Sequence, residues 1–391
     1  MIVEIIAVGT ELLLGEIINT NAAAIGTKLA EDGFDVHHQV TVGDNLDRIV
    51  ETIGTACSRA DAVVITGGIG PTQDDLTRDA ICALLDVKIE RDEDHAEVIR
   101  KRLATRGVIA DTALRMADYP ATTEPLPNSK GIALGIAARH GSARIFAVPG
   151  VPTEMHAMID DEVRPRLRAA SGEPAVLASR LLHTWGFGES QIAEMLHDLY
   201  ASTNPSIAFL INGPEVRIRI SAKAATRDLA EPMIRSIEDD IRGRLGSAIF
   251  ATDSETVDSI VFDELSNRGW TLATVEASTA GLLTARLANA PGFIGGSVVS
   301  ATRVDDVEAR ATMLAAGNFT TDSDADVVVA VSESLTDDAD DRVAGQRVGI
   351  VVRTPEKTTV RTISILGDTE QVRQFAVPGA LHVLRQALLG G

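Results

Sequence analysis

Two periods of apolar residues alternate along the first part of the chain. "IVEIIAVG" and "DAVVITGG" are aliphatic runs of strand length, and the second is continuous, as expected for a strand covered on both faces. "NTNAAAIGTKLAEDG", which ends at Gly33, reads as a helix, as do "NLDRIVETIGTACSRA" and "LTRDAICALLD". "DVHHQVTVG" predicts another strand, and "ARIFAVPG" a strand that leads into a helix over "TEMHAMIDDEVRPRL". Strand–helix alternation of this kind predicts an α/β domain over residues 1–167, built on a parallel sheet with helices on both faces.

The pattern breaks at "RAASGEPAV", Arg168 to Val176, which reads as a linker. Residues 176–250 predict a small α+β module: "LLHTWGF", a helix over "ESQIAEMLHDLY", the strand "EVRIRISAKA" and a helix over "LAEPMIRSIEDDIRGRLG". Alternation in "EVRIRIS" puts Arg217 and Arg219 on one face of an antiparallel strand. Residues 253–391 predict a third α/β unit, from the helix "VDSIVFDELSNRG" and strand "TLATVEAS" to the closing helix "TEQVRQFAVPGALHVLRQALL". Between them lie a helix over "AGLLTARLANA" and strands over "GGSVVSAT", "ADVVVAVSE", "RVGIVVRT" and "TVRTISIL". The acidic "TDDADDR", Thr336 to Arg342, reads as a solvated loop between strands rather than a metal site.

Composition narrows the function. With 391 residues and 45% hydrophobic content the chain can build more than one core. Its 56 acidic against 36 basic residues leave a net charge of -20, which disfavours nucleic acid or an anionic membrane as partner. A phosphate-bearing substrate would then need a metal ion or backbone N–H groups to offset the repulsion. Cys57 and Cys82, in helical segments, read as buried free thiols. The start, "MIVEIIAVG", reads as a strand rather than a signal peptide, and no apolar run is long enough to span a bilayer. A soluble, cytoplasmic protein is expected.

The candidate chemistry sits in "VVITGGIGPTQDD", Val63 to Asp75. Ligands of open parallel sheets bind beyond the carboxyl ends of the strands, where Gly67, Gly68 and Gly70 would lie. Glycine permits a positive φ and a close approach of N–H groups to a phosphate or pterin. Thr72 can donate its hydroxyl, and Asp74 and Asp75 are hard oxygen ligands suited to Mg²⁺. The structural alternative is a Gly-Pro turn with an aspartate capping the helix near Leu76. A second loop, "VGTELLLGEIINTN", offers Thr10 and Glu11, with Asn19 or Thr20 as a helix cap. A third, "FAVPGVPTEM", places Gly150 after a strand and Glu154 in a helix's first turn, where it is equally a normal helix-start residue.

These loops resemble a family. "GTELLLGEIINTN", "TVGDN", "ITGGIGPTQDD", "LPN" and "VPGVPTEM" match in order and spacing the N-terminal domain of the CinA (competence/damage-inducible) proteins, which has a molybdopterin-binding-like fold. "TWGFGESQIAEML" and "NPSIAFL…GPEVRIRISAKA" resemble the family's middle domain. The resemblance implies a pyrophosphatase that hydrolyses ADP-ribose to AMP and ribose 5-phosphate. It implies a divalent ion (Mg²⁺, Mn²⁺, Co²⁺ or Ni²⁺), potassium as a further ion, and a homodimer. Asp74 and Asp75 would then be catalytic and, with Glu11, hold metal, while Thr10, Asp44, Gly68, Gly70, Thr72 and Gly150 would bind substrate.

The third unit resembles the family's C-terminal domain, which in many relatives is a nicotinamide-nucleotide (NMN) amidohydrolase, but departs from it at the chemistry. The family's Glu-Ser-x-Thr-Gly-Gly loop is here "EASTAG", Glu276 to Gly281, with Ala277 for Ser and Ala280 for Gly. Pro291-Gly292 is followed by Phe293 instead of a serine pair. The Tyr-Ser-Asn-x-x-Lys segment aligns with "SATRVD", so Ser300 and Asp305 stand for Tyr and Lys. The helix between Glu308 and Val327 is shortened, and "VSESLTD" replaces a Thr-Gly-Ile-Ala-Gly-Pro loop. A serine amidase needs a nucleophile within reach of a base, so a scaffold without NMN deamidation is expected, with Ser278 and Thr279 as helix caps. Two alternatives remain open: molybdopterin binding or adenylyl transfer on the same fold, and a non-catalytic binding or assembly protein.

Overall fold

The computed structural model describes residues 1–104, 111–172, 175–300, 305–317, 325–336 and 345–390. The chain forms two compact units, Met1–Ala178 with Ala222–Met233, and Ser179–Ser221 with Ile234–Gly391. The first unit holds strands β1 (Ile2–Val8), β2 (Asp35–Val42), β3 (Ala62–Thr66), β4 (Ile89–Arg91), β5 (Asp118–Pro120), β6 (Glu124–Leu126), β7 (Gly135–His140) and β8 (Ala143–Val148).

Its main sheet runs β2-β1-β3-β8-β7-β6. β2, β1, β3 and β8 are parallel, and β7 and β6 add an antiparallel edge. All five residues of β3 are buried, as its unbroken apolar run predicts. Helices Thr20–Glu31 and Leu46–Arg59 start at Asn19 and Asn45, whose side chains accept the Ala22 and Arg48 N–H groups. Of the two candidates, Asn19 is therefore the cap. Separate apolar clusters line the two faces, one around Ile25, Leu29 and Met155, the other around Ile49, Ile53 and Ile81. Cys57 and Cys82 are buried and free, and burial pushes both thiols up to about 11.

Two expectations change here. β8 falls on the expected strand "ARIFAVPG", but its hairpin partner β7 is absent from the strand–helix reading, because their turn, at Gly141 with φ +58°, needs no crossover helix. The expected linker from Arg168 is helical as far as Ser171: a helix from Pro152 continues through a π turn, Ile159–Val163, into Arg164–Ser171. Residues 173–174 of that segment lie outside the described residues.

Strands β9 (Val176–Thr184), β10 (Ser206–Asn212), β11 (Glu215–Ala224) and β12 (Ile249–Thr252) form a sheet in the order β10-β11-β9-β12. β10 and β11 are antiparallel, with Val216, Ile218 and Ile220 buried and Arg217 and Arg219 on the other face, as the alternation predicts. The last sheet, β14-β13-β15-β16-β17, comprises β13 (Leu272–Glu276), β14 (Phe293–Val298), β15 (Val327–Thr336), β16 (Gly345–Arg353) and β17 (Thr358–Leu366). β13 pairs parallel to β14 and β15, and β15, β16 and β17 are antiparallel. Of the expected helix over "AGLLTARLANA" only Leu282–Leu287 is helical. Residues 337–344, most of the acidic "TDDADDR", and 301–304 of "SATRVD" lie outside the described residues. No helix among the described residues is long and apolar enough to cross a membrane.

Candidate functional site

The strand order of the first sheet gathers the three candidate loops. β1 and β3 are neighbours and β8 follows β3, so Gly9–Glu11, Gly67–Asp75 and Pro149–Val151 leave the same end of adjacent parallel strands. They enclose a cavity of about 430 Å³. Glu11, Asp44, Gly68, Gly70, Thr72, Asp74, Asp75 and Gly150 line it, and so does Glu154.

The glycine loop has a conformation that side chains would oppose. Gly67 and Gly68 take φ of +98° and +69°, and a Cβ would strike Val8 O from the first and Thr77 Oγ1 from the second. Beyond them the loop's carbonyls are tied to the scaffold. Thr77 donates its hydroxyl to Gly67 O at 2.8 Å and its N–H to Gly68 O at 2.9 Å. Arg78 Nη2 reaches Ile69 O at 2.7 Å, and Arg115 Nη1 reaches Thr72 O at 2.9 Å. Arg78 is wholly buried, its Nε and Nη1 meet no acceptor, and burial pushes its pKa down against the fields of Asp118, Asp79 and Asp75. A guanidinium keeps its proton even so. In a chain of net charge -20, this site therefore has a fixed cation under a loop whose carbonyls are held in place.

The two aspartates have different positions. Asp75 Oδ1 accepts the Gly70 N–H, and Oδ2 accepts the Thr72 N–H, both at 2.8 Å, and the Thr72 hydroxyl. It closes the loop. Neither aspartate caps the helix Thr77–Leu85, whose first turn has no side-chain cap, so the capping alternative is set aside. Asp74 is exposed, and the Thr72 hydroxyl beside it holds its carboxyl below the usual range. Thr10 does not line the cavity; its N–H donates to Asp44 Oδ2 at 2.8 Å and its hydroxyl accepts the Asp44 N–H at 3.1 Å. The Glu11 carboxylate folds back over Gly9. Glu154 accepts Asn128 Nδ2 at 2.7 Å, so it is oriented rather than merely a helix-start charge.

Several positioning residues carry no sequence signal of their role. Asn21 Nδ2 donates to Gly150 O at 2.8 Å and to Thr66 Oγ1 at 3.1 Å, and Thr66 donates to Pro149 O. Arg78 and Arg115 lie in helical segments where a surface ion pair is the default reading. Asn128 in the quoted "LPN", Asn21 at the end of "GTELLLGEIINTN" and Thr66 in "ITGGIGPTQDD" do lie in motifs that pointed to the site.

A divalent ion can be tested against these donors. All are hard carboxylate oxygens, but Asp44 and Asp75 are committed to backbone N–H groups and Glu154 to Asn128. Among the described residues no three His, Cys, Asp or Glu side chains converge as a ready metal site. Asp74 and Glu11 are the carboxylates left for an ion. That suits Mg²⁺, which is typically held by one or two carboxylates and completed by substrate phosphates.

Comparison with known proteins agrees with this organisation. Residues 4–169 match the family model "Probable molybdopterin binding domain", and residues 179–251 match "Damage-inducible protein CinA KH domain". A CinA-like protein of Frankia casuarinae is 37% identical over 99% of this chain and 96% of its own length. The chain belongs to the CinA family. Another CinA-like protein of the family, from Deinococcus radiodurans, is 35% identical over 100% of this chain and 99% of its own. The crystal structure of the protein CinA with unknown function from Thermoplasma acidophilum is similar at 34% identity, covering 42% of this chain and 96% of its own, with a TM-score of 0.40.

In this member of the family the C-terminal "EASTAG" loop is a structural element. Glu276 is wholly buried and accepts the Leu283 and Thr284 N–H groups at 3.2 and 2.9 Å, together with the Thr279 and Thr284 hydroxyls. The expectation that Ser278 and Thr279 cap the next helix is corrected: the cap groups come from Glu276. Ser278 Oγ is buried without a partner, so no base activates it among the described residues. Ala280, where the family carries Gly, sits at φ +52°.

Proposed function

We propose that the cavity of the first unit hydrolyses the diphosphate of ADP-ribose to AMP and ribose 5-phosphate. The observation that carries this reading is the meeting of Gly68, Gly70, Thr72, Asp74 and Glu11 at the ends of adjacent parallel strands, above the buried Arg78. The bare backbone of the Gly67–Gly68 turn lets one phosphate approach closely, and Arg78 supplies a field that favours its charge. Asp74 and Glu11 would hold a divalent ion, which would neutralise phosphoryl charge and lower the pKa of water. Asp75 keeps the loop closed around the substrate, and Asn21 and Asn128 fix the opposite wall. Hydrolysis adds a water oxygen to one phosphorus and breaks its bond to the bridging oxygen, which leaves with the other phosphate. The exposed Asp74, with its depressed pKa, stays ionised throughout neutral pH.

The family description "Probable molybdopterin binding domain" supports a second reading, in which the same loop holds a pterin phosphate without cleaving it. Incubation with ADP-ribose separates the two. Turnover that EDTA abolishes and Mg²⁺ or Mn²⁺ restores supports hydrolysis; no turnover with either ion would sink it. We extend the proposal to two further points. The third sheet's loop does not deamidate NMN, because Glu276 is used up and Ser278 lacks a base. The chain forms a homodimer, so light scattering should give about twice 41.4 kDa.

A further inference from the structure

The second unit buries a cation that no described residue neutralises. Arg385, on the helix Thr369–Leu389, is 8% exposed. Its Nε has no acceptor, and it forms no ion pair or hydrogen bond with any described residue. The guanidinium lies 5.2 Å from the centroid of the Phe250 ring, which offsets only part of its lost hydration. Scarcity of acids does not explain this, since the chain has 56 against 36 basic residues.

The nearby acid is already engaged. Glu215 accepts or shares the Nε2 proton of His382 at 3.1 Å, one turn before Arg385. His382 is wholly buried, stacks on Trp185 at 4.0 Å and 15°, and meets the Phe250 edge at 4.5 Å. Burial pushes its pKa down, with Arg385 and Arg286 adding to that against the Glu215 carboxylate, which raises it.

Arg385 lines a cavity of about 380 Å³ together with Trp185, Phe187, Arg361 and Gln386. Arg361 is exposed, and among the described residues its side chain bonds only the carbonyl of Val360. Two guanidinium groups and an amide thus face a space walled by an indole and a phenyl ring. Trp185, Gly186, Phe187 and Ile363 continue into an adjoining cavity of about 450 Å³. These volumes fall in the range of small-ligand sites, roughly 300–1,000 Å³.

We propose that this cleft binds a small organic oxyanion, a phosphate or carboxylate attached to a flat ring. The oxyanion pairs with Arg385 and Arg361, and the ring packs against Trp185 and Phe187. An arginine fork suits both oxyanions, and an aromatic wall suits a ring. No bond is made or broken; the site is one of recognition, separate from the glycine-loop cavity of the first unit.

The chain has two tryptophans, so Trp270→Phe leaves Trp185 as the sole reporter. The full-length variant is titrated with AMP, benzoate and adenosine while Trp185 emission is followed. A saturable change with AMP points to a phosphate ligand and one with benzoate to a carboxylate; either supports the proposal when Arg385→Gln weakens it at least about tenfold, the loss of one charge-assisted pair. Asp74→Ala should keep the response, which separates this cleft from the first unit's cavity. If Arg385→Gln does not fold, Arg361→Ala, at an exposed position, carries the test with a weakening of a few-fold. Adenosine binding as tightly as AMP, affinity unchanged in both arginine variants, or no saturable response to either anion would overturn the proposal.

Discussion

At the residue scale, Asp74 and Asp75 are neighbours with different tasks, and mutation should separate them. Asp75 holds Gly70 and Thr72 through backbone N–H groups, so Asp75→Ala should cost roughly 1–2 kcal/mol in urea unfolding as well as activity. Asp74 is exposed and ties no other part of the loop down, so Asp74→Ala should lower the unfolding midpoint less than Asp75→Ala does. A stability loss in Asp74→Ala equal to that of Asp75→Ala would contradict the assignment. Ala280 offers a second residue-scale test. Its φ of +52° is costly for any residue with a Cβ, so Ala280→Gly should stabilise the protein by about 1 kcal/mol. A destabilisation measured by denaturant titration would show that the strain is not there.

At the element scale, the long C-terminal helix of the first unit is pinned to the end of the helix Thr20–Glu31. Arg164 makes a two-pronged pair with Asp32, at 2.7 and 2.8 Å, and Arg168 adds a third contact. Burial raises the Asp32 carboxyl, but the hydrogen bonds from Arg164 and Arg168 outweigh it and leave the pKa below 3.8. A depressed carboxylate stabilises the folded state above its unfolded pKa, and that contribution disappears as pH falls through the folded value. Arg164→Ala should therefore cost roughly 2 kcal/mol at pH 7, less than a fully buried pair because Arg168 and Asp160 are wet. The difference from wild type should shrink as pH drops below about 3.8, the usual Asp value. A difference that is constant from pH 7 to pH 2.5 would count against the pair.

Elements were legible in the sequence where period and cap agreed. β1, β3 and the helices Thr20–Glu31 and Leu46–Arg59 fall where the apolar runs place them, and the first helix starts at Asn19, one of its two expected caps. The reading failed where tertiary packing decides. β7, unlike its hairpin partner β8, has no apolar run of strand length, and the helix through Arg168 continues because Leu167 is buried against the first core. The site shows the same division. Its glycines, Thr72 and the acidic pair could be read from one loop, since only a bare, polar turn after a buried strand looks like that. Arg78, Arg115 and Asn21 could not, because their partners are backbone carbonyls that only the folded loop brings near.

At the scale of the whole molecule, a strongly acidic chain carries, among its described residues, buried arginines without a carboxylate partner at Arg78 under the glycine loop and Arg385 in the second unit. Arginines buried this way are expensive, and sites that tolerate such cost are commonly functional. The central claim is that the first unit's cavity performs the hydrolysis and the "EASTAG" loop performs none. The most direct measurement follows AMP and ribose 5-phosphate from ADP-ribose, and ammonia from NMN, for wild type and Asp74→Ala side by side with Mg²⁺. The account predicts equal amounts of AMP and ribose 5-phosphate from wild type, a fall of about 10²-fold or more in Asp74→Ala, and no ammonia from either. Full ADP-ribose turnover by Asp74→Ala, or ammonia release from NMN, would contradict it.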